Sequence, residues 1–199
     1  MTPRAPKMSS RRTAAKSAST WKPLAGAAAV AAASVALAAG ATVLGVARLG
    51  LYDVAATSQH TAPVFALLES GMRNGVRARA RGVQVPALQD AALIDRGFRC
   101  YSEHCEQCHG GPGVARAPFS RGMLPAPHDL SQTGRDWPPA HLYWVTRHGL
   151  KMTGMPAWEY RLPDAELWAV VAFVGQLHRH TPASYAALRT RPGRGCEQR

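Results

Sequence analysis

Five consecutive residues near the middle of the chain, Cys105-Glu106-Gln107-Cys108-His109, constrain its fold more than any other feature. Two thiols separated by two residues lie about one helical turn apart, and an imidazole follows directly. This spacing is the pattern for covalent attachment of haem, in which the two thiols form thioethers with the vinyl groups. The imidazole of His109 then lies below the ring, where iron accepts a neutral imidazole as proximal ligand. We therefore expect one covalently bound haem c.

The cysteine content argues against other uses of this motif. The chain has four Cys and eight His, but no second pair of suitable spacing that would complete a zinc site. A redox-active C-x-x-C motif is expected beside a βαβ pattern, which this sequence lacks. The two cysteines outside the motif are Cys100 and Cys196, and an oxidising compartment permits a disulfide between them. The alternative is a buried Cys100 and a free Cys196, and the sequence leaves both possibilities open.

The formal net charge of +12 lies mainly on the two ends and on a connecting segment. Residues 1–23 carry six basic and no acidic side chains, whereas residues 88–180 carry nine of each sign. A basic excess confined to such arms favours membrane orientation or anionic lipid over recognition of a nucleic acid. We therefore expect a membrane partner and no nucleic acid.

Residues 24–47 hold no charged side chain and are rich in alanine. As a helix they are about 36 Å long, enough to cross a hydrocarbon core of about 30 Å. The basic residues 1–23 before this segment predict a cytoplasmic N-terminus and an exported remainder. A cleaved signal peptide is the competing hypothesis, since Ala36-Leu37-Ala38 suits a signal peptidase. The apolar run is longer than a usual signal core, which favours an uncleaved single-pass anchor.

Two flanking segments are predicted to lie outside the main domain. Residues 48–86 indicate a linker with one helical stretch, in which apolar residues from Val64 to Val76 recur near helical spacing and arginines follow. This stretch is interpreted either as a basic amphipathic helix on the membrane surface or as a solvated linker helix. Residues 181–199 are predicted to be a basic C-terminal tail.

Residues 87–180 predict a small all-α domain. Helices are expected over 90–104, 138–148 and 163–177, from their apolar periodicity and their Pro and Gly boundaries. The Pro- and Gly-rich residues 114–136 predict an irregular loop at the haem edge. Gly97, four residues before Tyr101, predicts a close helix crossing, with Phe173 packed against it.

The order of these features resembles the class I c-type cytochromes, in the membrane-anchored bacterial monohaem type. The resemblance includes the run His148-Gly149-Leu150-Lys151-Met152-Thr153-Gly154-Met155-Pro156-Ala157-Trp158. Leu51 to Thr61 is also similar to the segment that follows the anchor in membrane-bound proteobacterial relatives. The resemblance implies a class I cytochrome c fold with an N-terminal transmembrane helix. It also implies a location in the bacterial inner membrane, with the haem domain in the periplasm.

The resemblance further implies a sixth iron ligand and the residues around it. Met155, followed by Pro156, corresponds to the distal methionine, so the iron is expected between His109 and Met155; Met152 and Met123 are the rival candidates. The carbonyl of Pro125 is expected to accept a hydrogen bond from the second ring nitrogen of His109, with Pro127 as the alternative. Trp158, like Trp144 and Arg147, is expected either at the haem propionates or in wall packing.

These features predict an electron carrier rather than an enzyme. The expected partners are respiratory proteins, such as a dehydrogenase upstream and a terminal oxidase downstream. One alternative is a fixed cytochrome subunit of a dehydrogenase or oxidase complex. A second is a peroxidase-like haem subunit, which needs an open iron site and is disfavoured by Met155-Pro156. A haem-based sensor is a third, with no signalling domain visible to support it.

Overall fold

The computed structural model of this protein describes residues 21–198, with side chains from residue 24 onward. The chain divides into two compact units between Asp53 and Val54. The predicted basic segment 1–23 falls almost wholly outside the described residues.

The first unit contains one long helix, α1 (Trp21–Arg48). Its stretch Leu24–Arg48, 25 residues, is long and apolar enough to cross a membrane. Its apolar side chains, such as Leu37 and Val43, are exposed, so they do not form a protein core. This helix agrees with the predicted anchor, although a signal sequence near the N-terminus also meets these criteria of length and apolar composition.

The second unit is built from helices, as predicted. They are α2 (Ala62–Arg79), α3 (Ala91–Cys100), α4 (Glu106–His109), α5 (Leu130–Asp136), α6 (Pro139–His148), α7 (Asp164–Val174) and α8 (Pro182–Arg189). Within residues 21–198 there is no strand, and β pairing is limited to one bridge between Gly111 and Val114. The all-α fold class is therefore confirmed.

The crossing of α3 and α7 lies at the centre of this unit. A Cβ atom on Gly97 would lie 1.9 Å from the carbonyl oxygen of Ala169 and 2.8 Å from Cβ of Phe173. Only glycine allows the two helix backbones to come this close. The rings of Phe98 and Tyr101 lie 5.5 and 5.4 Å from that of Phe173, in edge and tilted contacts. The predicted close crossing at Gly97 and the packing role of Phe173 are confirmed.

The prediction of an irregular loop over 114–136 is wrong in its last part, because Leu130–Asp136 form helix α5. Its first turn is capped by Asp129, whose carboxylate accepts a hydrogen bond from the amide of Ser131 at 2.8 Å. Gly134 lies against α7, because a Cβ atom there would be 2.1 Å from the carbonyl oxygen of Val174. The cap and this contact stabilise a helix that the Pro and Gly content did not predict.

The helical stretch predicted in the linker is helix α2, and it packs on the rest of the second unit. Val76 and the following Ala80 are 2% and 3% exposed. Arg73 lies over the indole of Trp137, 5.5 Å from the ring centre. Residues 62–80 therefore belong to the folded unit and are not a solvated linker.

The prediction of a basic C-terminal tail over 181–199 is also wrong in its first half, which forms helix α8. Helix α8 begins with a capping box, in which Thr181 and Ser184 each accept a hydrogen bond from the other's backbone amide. Its Tyr185 and Leu188 are 0% and 5% exposed and belong to the core. The tail is therefore an integral element, although its basic side chains suggested a solvated segment.

A disulfide joins Cys100, at the end of α3, to Cys196, 96 residues further along the chain. Two hydrogen bonds support the same connection. Cys196 donates its amide to Glu103 at 3.1 Å, and Arg99 donates to the carbonyl of Arg191 at 2.7 Å. Of the two possibilities that the sequence left open, the structure has the disulfide.

Gly97→Ala should destabilise the second unit by about 3 kcal/mol or more, because the new methyl group overlaps the α7 backbone. The measurement is denaturant unfolding of the detergent-purified full chain. Gly71→Ala is the matched control, since a Cβ atom there meets no described atom within 4 Å. This control should be neutral or stabilise α2 by up to about 1 kcal/mol. Equal effects of the two variants would contradict the close crossing.

Cys196→Ser should lower the free energy of unfolding by about 4 kcal/mol, because the unfolded chain loses a long cross-link. The variant should match the wild type treated with reductant, and in denaturant it should show one additional alkylatable thiol, that of the buried Cys100. If the wild type already shows that thiol without reductant, the disulfide does not form.

Candidate haem site

The motif Cys105-Glu106-Gln107-Cys108-His109 lies on a continuous helical path from α3. A π-helical turn, Tyr101–Cys105, connects α3 to α4, and Gly110, with φ 72°, ends the helix. The hydroxyl of Tyr101 donates to the carbonyl of Gly110 at 2.7 Å, which closes the turn that carries the motif. The α3–α7 crossing therefore fixes the position of the two thiols and the imidazole.

The two motif cysteines are free thiols, in contrast to Cys100 and Cys196. Burial, with a smaller contribution from Cys108, raises the pKa of Cys105 to about 12. Burial also raises the pKa of the Cys108 thiol. Burial therefore favours the thiol over the thiolate at both positions, and neither cysteine is used in a disulfide. They have the chemistry that thioether formation with two vinyl groups requires.

The ring of His109 is oriented by a hydrogen bond to the backbone. Its Nδ1 lies 2.9 Å from the carbonyl oxygen of His128, and a protonated Nδ1 leaves Nε2 with a free lone pair. Burial lowers the pKa of His109, so the neutral imidazole is favoured. This is the form that binds a metal, and the hydrogen bond to the carbonyl of His128 orients the ring.

The predicted acceptor for this hydrogen bond, the carbonyl of Pro125, is wrong in this structure. The acceptor belongs to His128, three residues later, while the carbonyl of Pro127 accepts from Arg116 at 2.9 Å. All three carbonyls lie on one irregular loop. Because every residue has a backbone carbonyl, the sequence does not indicate which of them accepts the hydrogen bond. A contact of Pro125 with haem stays a prediction.

The loop before Met155 is held closed by its own hydrogen bonds. Gly149 has φ 65°, and a Cβ atom there would lie 2.6 Å from the carbonyl oxygen of Met155. Thr153 accepts a hydrogen bond from the amide of Met155 at 3.1 Å and donates to the carbonyl of Leu150 at 2.8 Å. The backbone at Met155 is thus set by a conformation at position 149 that favours glycine and by the hydroxyl of Thr153.

The three candidate methionines have different surroundings. Met155 is partly buried and packs against the core, whereas Met152 is 92% exposed. The Sδ atom of Met123 lies close to the same loop, 3.0 Å from where a Cβ atom of Gly154 would be. Partial burial favours Met155 over Met152, and Met123 stays the nearer rival.

Trp158 is 6% exposed, and its ring lies 5.1 Å from that of His104. The Nε2 atom of His104 is buried and has no hydrogen-bond partner among the described residues. Trp144 lies beside His148, 5.0 Å between ring centres. Trp158 is therefore a buried wall residue of the domain. The nearby Nε2 of His104 makes no hydrogen bond to a described residue, but it lies 3.9 Å from a carboxylate oxygen of Glu103.

Arg147 is occupied by protein groups. Its guanidinium donates to Tyr143 at 2.8 Å and pairs with Glu159 and Asp164 at 3.2 Å each. These partners raise the pKa of Arg147. The alternative in which Arg147 belongs to the packing of the domain fits these contacts better than a role at a propionate.

Four residues near the motif were not predicted to have a role: His128, Glu106, Tyr185 and Arg189. Glu106 is 8% exposed although it carries a charge. The last two lie on α8, whose start is readable in Thr181-Pro182, since Thr is a favoured N-cap and Pro a favoured first residue. That signal could have identified the helix, but no pattern in the sequence joins it to Glu106.

The groups available here fit a covalent haem: two free thiols, a neutral imidazole with a free nitrogen, and a partly buried thioether. Residues 92–174 match the protein family described as cytochrome c oxidase, cbb3-type, subunit III. This region is a class I c-type cytochrome domain. No curated protein and no solved structure matches the chain.

The cytochrome domain carries a covalently bound haem c with its iron, and it serves haem-based electron transfer. Redox partners in general follow from that activity. The matched residues include the haem motif and Met155 but end with α7, so α8 and Cys196 lie outside them.

Thr153→Val should loosen the loop that ends at Met155, because both hydrogen bonds of the hydroxyl are lost. We expect amide exchange at Met155 to accelerate roughly tenfold, which corresponds to about 1.4 kcal/mol of local stability. Thr153→Ser keeps the hydroxyl and should exchange at a rate close to that of the wild type. Similar acceleration in both variants would show that the hydroxyl does not hold the loop.

Proposed function

We propose that this protein is a membrane-tethered, single-haem electron carrier of a respiratory chain, with the haem domain in the bacterial periplasm. The observation that carries the proposal is the state of His109. Its Nδ1 is engaged by the carbonyl of His128, and its Nε2 is left for a metal beside two free thiols. When bound, haem c supplies an iron that takes up and releases one electron.

The proposed attachment uses Cys105 and Cys108 for the thioethers, and the proposed axial ligands are His109 and Met155. The hydrogen bond from His109 increases the basicity of its ligating nitrogen. The thioether of Met155 raises the reduction potential relative to a second imidazole. Two filled axial positions leave no place for a substrate, which favours a carrier over a peroxidase-like enzyme. We propose the indole of Trp158 as part of the wall of the haem pocket.

Two features support the proposed location. Helix α1 is suited to a membrane span, and a tether of this kind raises the effective concentration of the domain near membrane partners. The Cys100–Cys196 disulfide is typical of an oxidising compartment such as the periplasm. The proposed partners are a respiratory dehydrogenase as donor and a terminal oxidase as acceptor.

A fixed cytochrome subunit of an oxidase is the second candidate. It is favoured by the description of the matched family, which names a subunit of a cbb3-type cytochrome c oxidase. Purification from detergent-solubilised membranes distinguishes the two. Stable co-purification with oxidase subunits would support the fixed subunit, and isolation of the single chain with its haem would support the carrier.

Met155→Ala should lower the reduction potential and open the iron to carbon monoxide in the reduced protein, because the thioether no longer fills the sixth position. Met152→Ala is the matched control, since this side chain is 92% exposed, and it should leave both properties unchanged. Met123→Ala tests the nearer rival. If Met123→Ala opens the site and Met155→Ala does not, the proposed ligand is wrong.

Carbon monoxide binding to the reduced wild type tests the carrier itself. The reduced protein should resist rapid binding while both axial positions are filled. Rapid stoichiometric binding would contradict the carrier and favour the haem enzyme.

A further inference from the structure

Glu106 lies between the two motif cysteines, yet its carboxylate is directed away from solvent and toward α8. Its side chain is 11% exposed. One oxygen accepts a hydrogen bond from the hydroxyl of Tyr185 at 2.7 Å. Both oxygens lie 2.5 Å from Nη2 of Arg189. We call these three residues the Glu106 clamp.

The clamp lies in a tight contact between α8 and the glycines after the motif. A Cβ atom on Gly111 would lie 2.8 Å from the ring and hydroxyl of Tyr185, and one on Gly113 would lie 2.8 Å from Pro182. The disulfide at Cys196 holds the end of the same segment. The clamp therefore has little freedom to move away from the motif. Since α8 lies outside the residues matched to the family, the matched domain does not account for it.

The charges of the clamp nearly cancel as long as both partners are present. A carboxylate this well buried is costly without its cation. Arg189 is 43% exposed on its side chain, so solvent screens its charge more than that of Glu106. Removing the charge of Arg189 alone would leave an uncompensated negative charge on Glu106, between Cys105 and Cys108. Removing the charge of Glu106 alone would leave an uncompensated positive charge beside that position, on Arg189.

We propose that the Glu106 clamp keeps the charge beside this motif balanced, so that neither Glu106 nor Arg189 alone shifts the reduction potential of the haem attached there. Tyr185 is the residue that orients the carboxylate. The proposal rests on the proposed haem attachment at Cys105, Cys108 and His109. The physical reason is that oxidation adds one positive charge to the iron. A nearby negative charge stabilises the ferric form, and a nearby positive charge stabilises the ferrous form.

The experiment is a spectroscopic redox titration of the detergent-purified, haem-bearing full chain and its charge variants at one pH and ionic strength. Glu106→Gln leaves Arg189 unpaired and should raise the potential. Arg189→Gln leaves Glu106 unpaired and should lower it. We expect the ferric-to-ferrous ratio at fixed ambient potential to change by about three- to tenfold, where tenfold corresponds to about 59 mV for a one-electron couple. The shift for Arg189→Gln should be the smaller, because its charge is better screened.

Three further variants separate charge from packing. The double variant Glu106→Gln/Arg189→Gln restores neutrality and should return close to the wild-type potential. Arg189→Lys keeps the charge and should also remain close to it. Arg194→Gln removes an equal charge elsewhere in the C-terminal segment and should shift the potential less than Arg189→Gln.

A purely structural clamp gives a different pattern. Loosening α8 would expose the haem in both single variants, so both potentials would move in the same direction and the double variant would move furthest. That result, or no shift in either single variant with haem attached, would overturn the proposal. Failure of the proposed attachment is recognised separately, because the wild type would then lack covalently bound haem in its denatured spectrum.

Discussion

The close contact of α3 and α7 at Gly97 is the interaction on which the rest of the domain depends. Because α3 continues through one π-helical turn into the haem motif, its position determines where the two thiols and His109 lie. Helix α7 follows the Met155 loop and Trp158 in the chain, so the same crossing also helps to position that loop. With a carbonyl oxygen 1.9 Å from where a Cβ atom would be, the contact is a backbone contact that a side chain would prevent.

The two sides of the candidate haem site are held by different kinds of interaction. On one side, a backbone carbonyl orients His109, and burial lowers its pKa and so favours the neutral imidazole. On the other side, a short loop closed by Gly149 and Thr153 holds Met155. The helical frame and the two loops thus hold His109 and Met155 through backbone contacts that do not depend on the cofactor.

The C-terminal segment extends the domain beyond the residues shared with the matched family. It is joined to the motif side of the molecule by the disulfide at Cys100 and by the carboxylate of Glu106. One contact is covalent, and the other is a charged hydrogen-bond network with a buried acceptor. Both contacts are made at or just after the end of α3, at Cys100 and at Glu106, so this segment is attached beside the motif where haem is proposed to bind.

The cofactor class, the all-α fold and the close crossing could be predicted from the sequence, because each depends on local spacing: two thiols and an imidazole, helical periodicity, and a glycine at a helix contact. A helix long and apolar enough to span a membrane was predicted in the same way, from a charge-free run. Only the folded structure showed the acceptor for His109, the helices α5 and α8, the packing of α2 and the pairing of Cys100 with Cys196. Each of these joins residues distant in sequence or involves a backbone carbonyl. Such contacts depend on where the α3–α7 crossing places the chain, and no local pattern encodes that position.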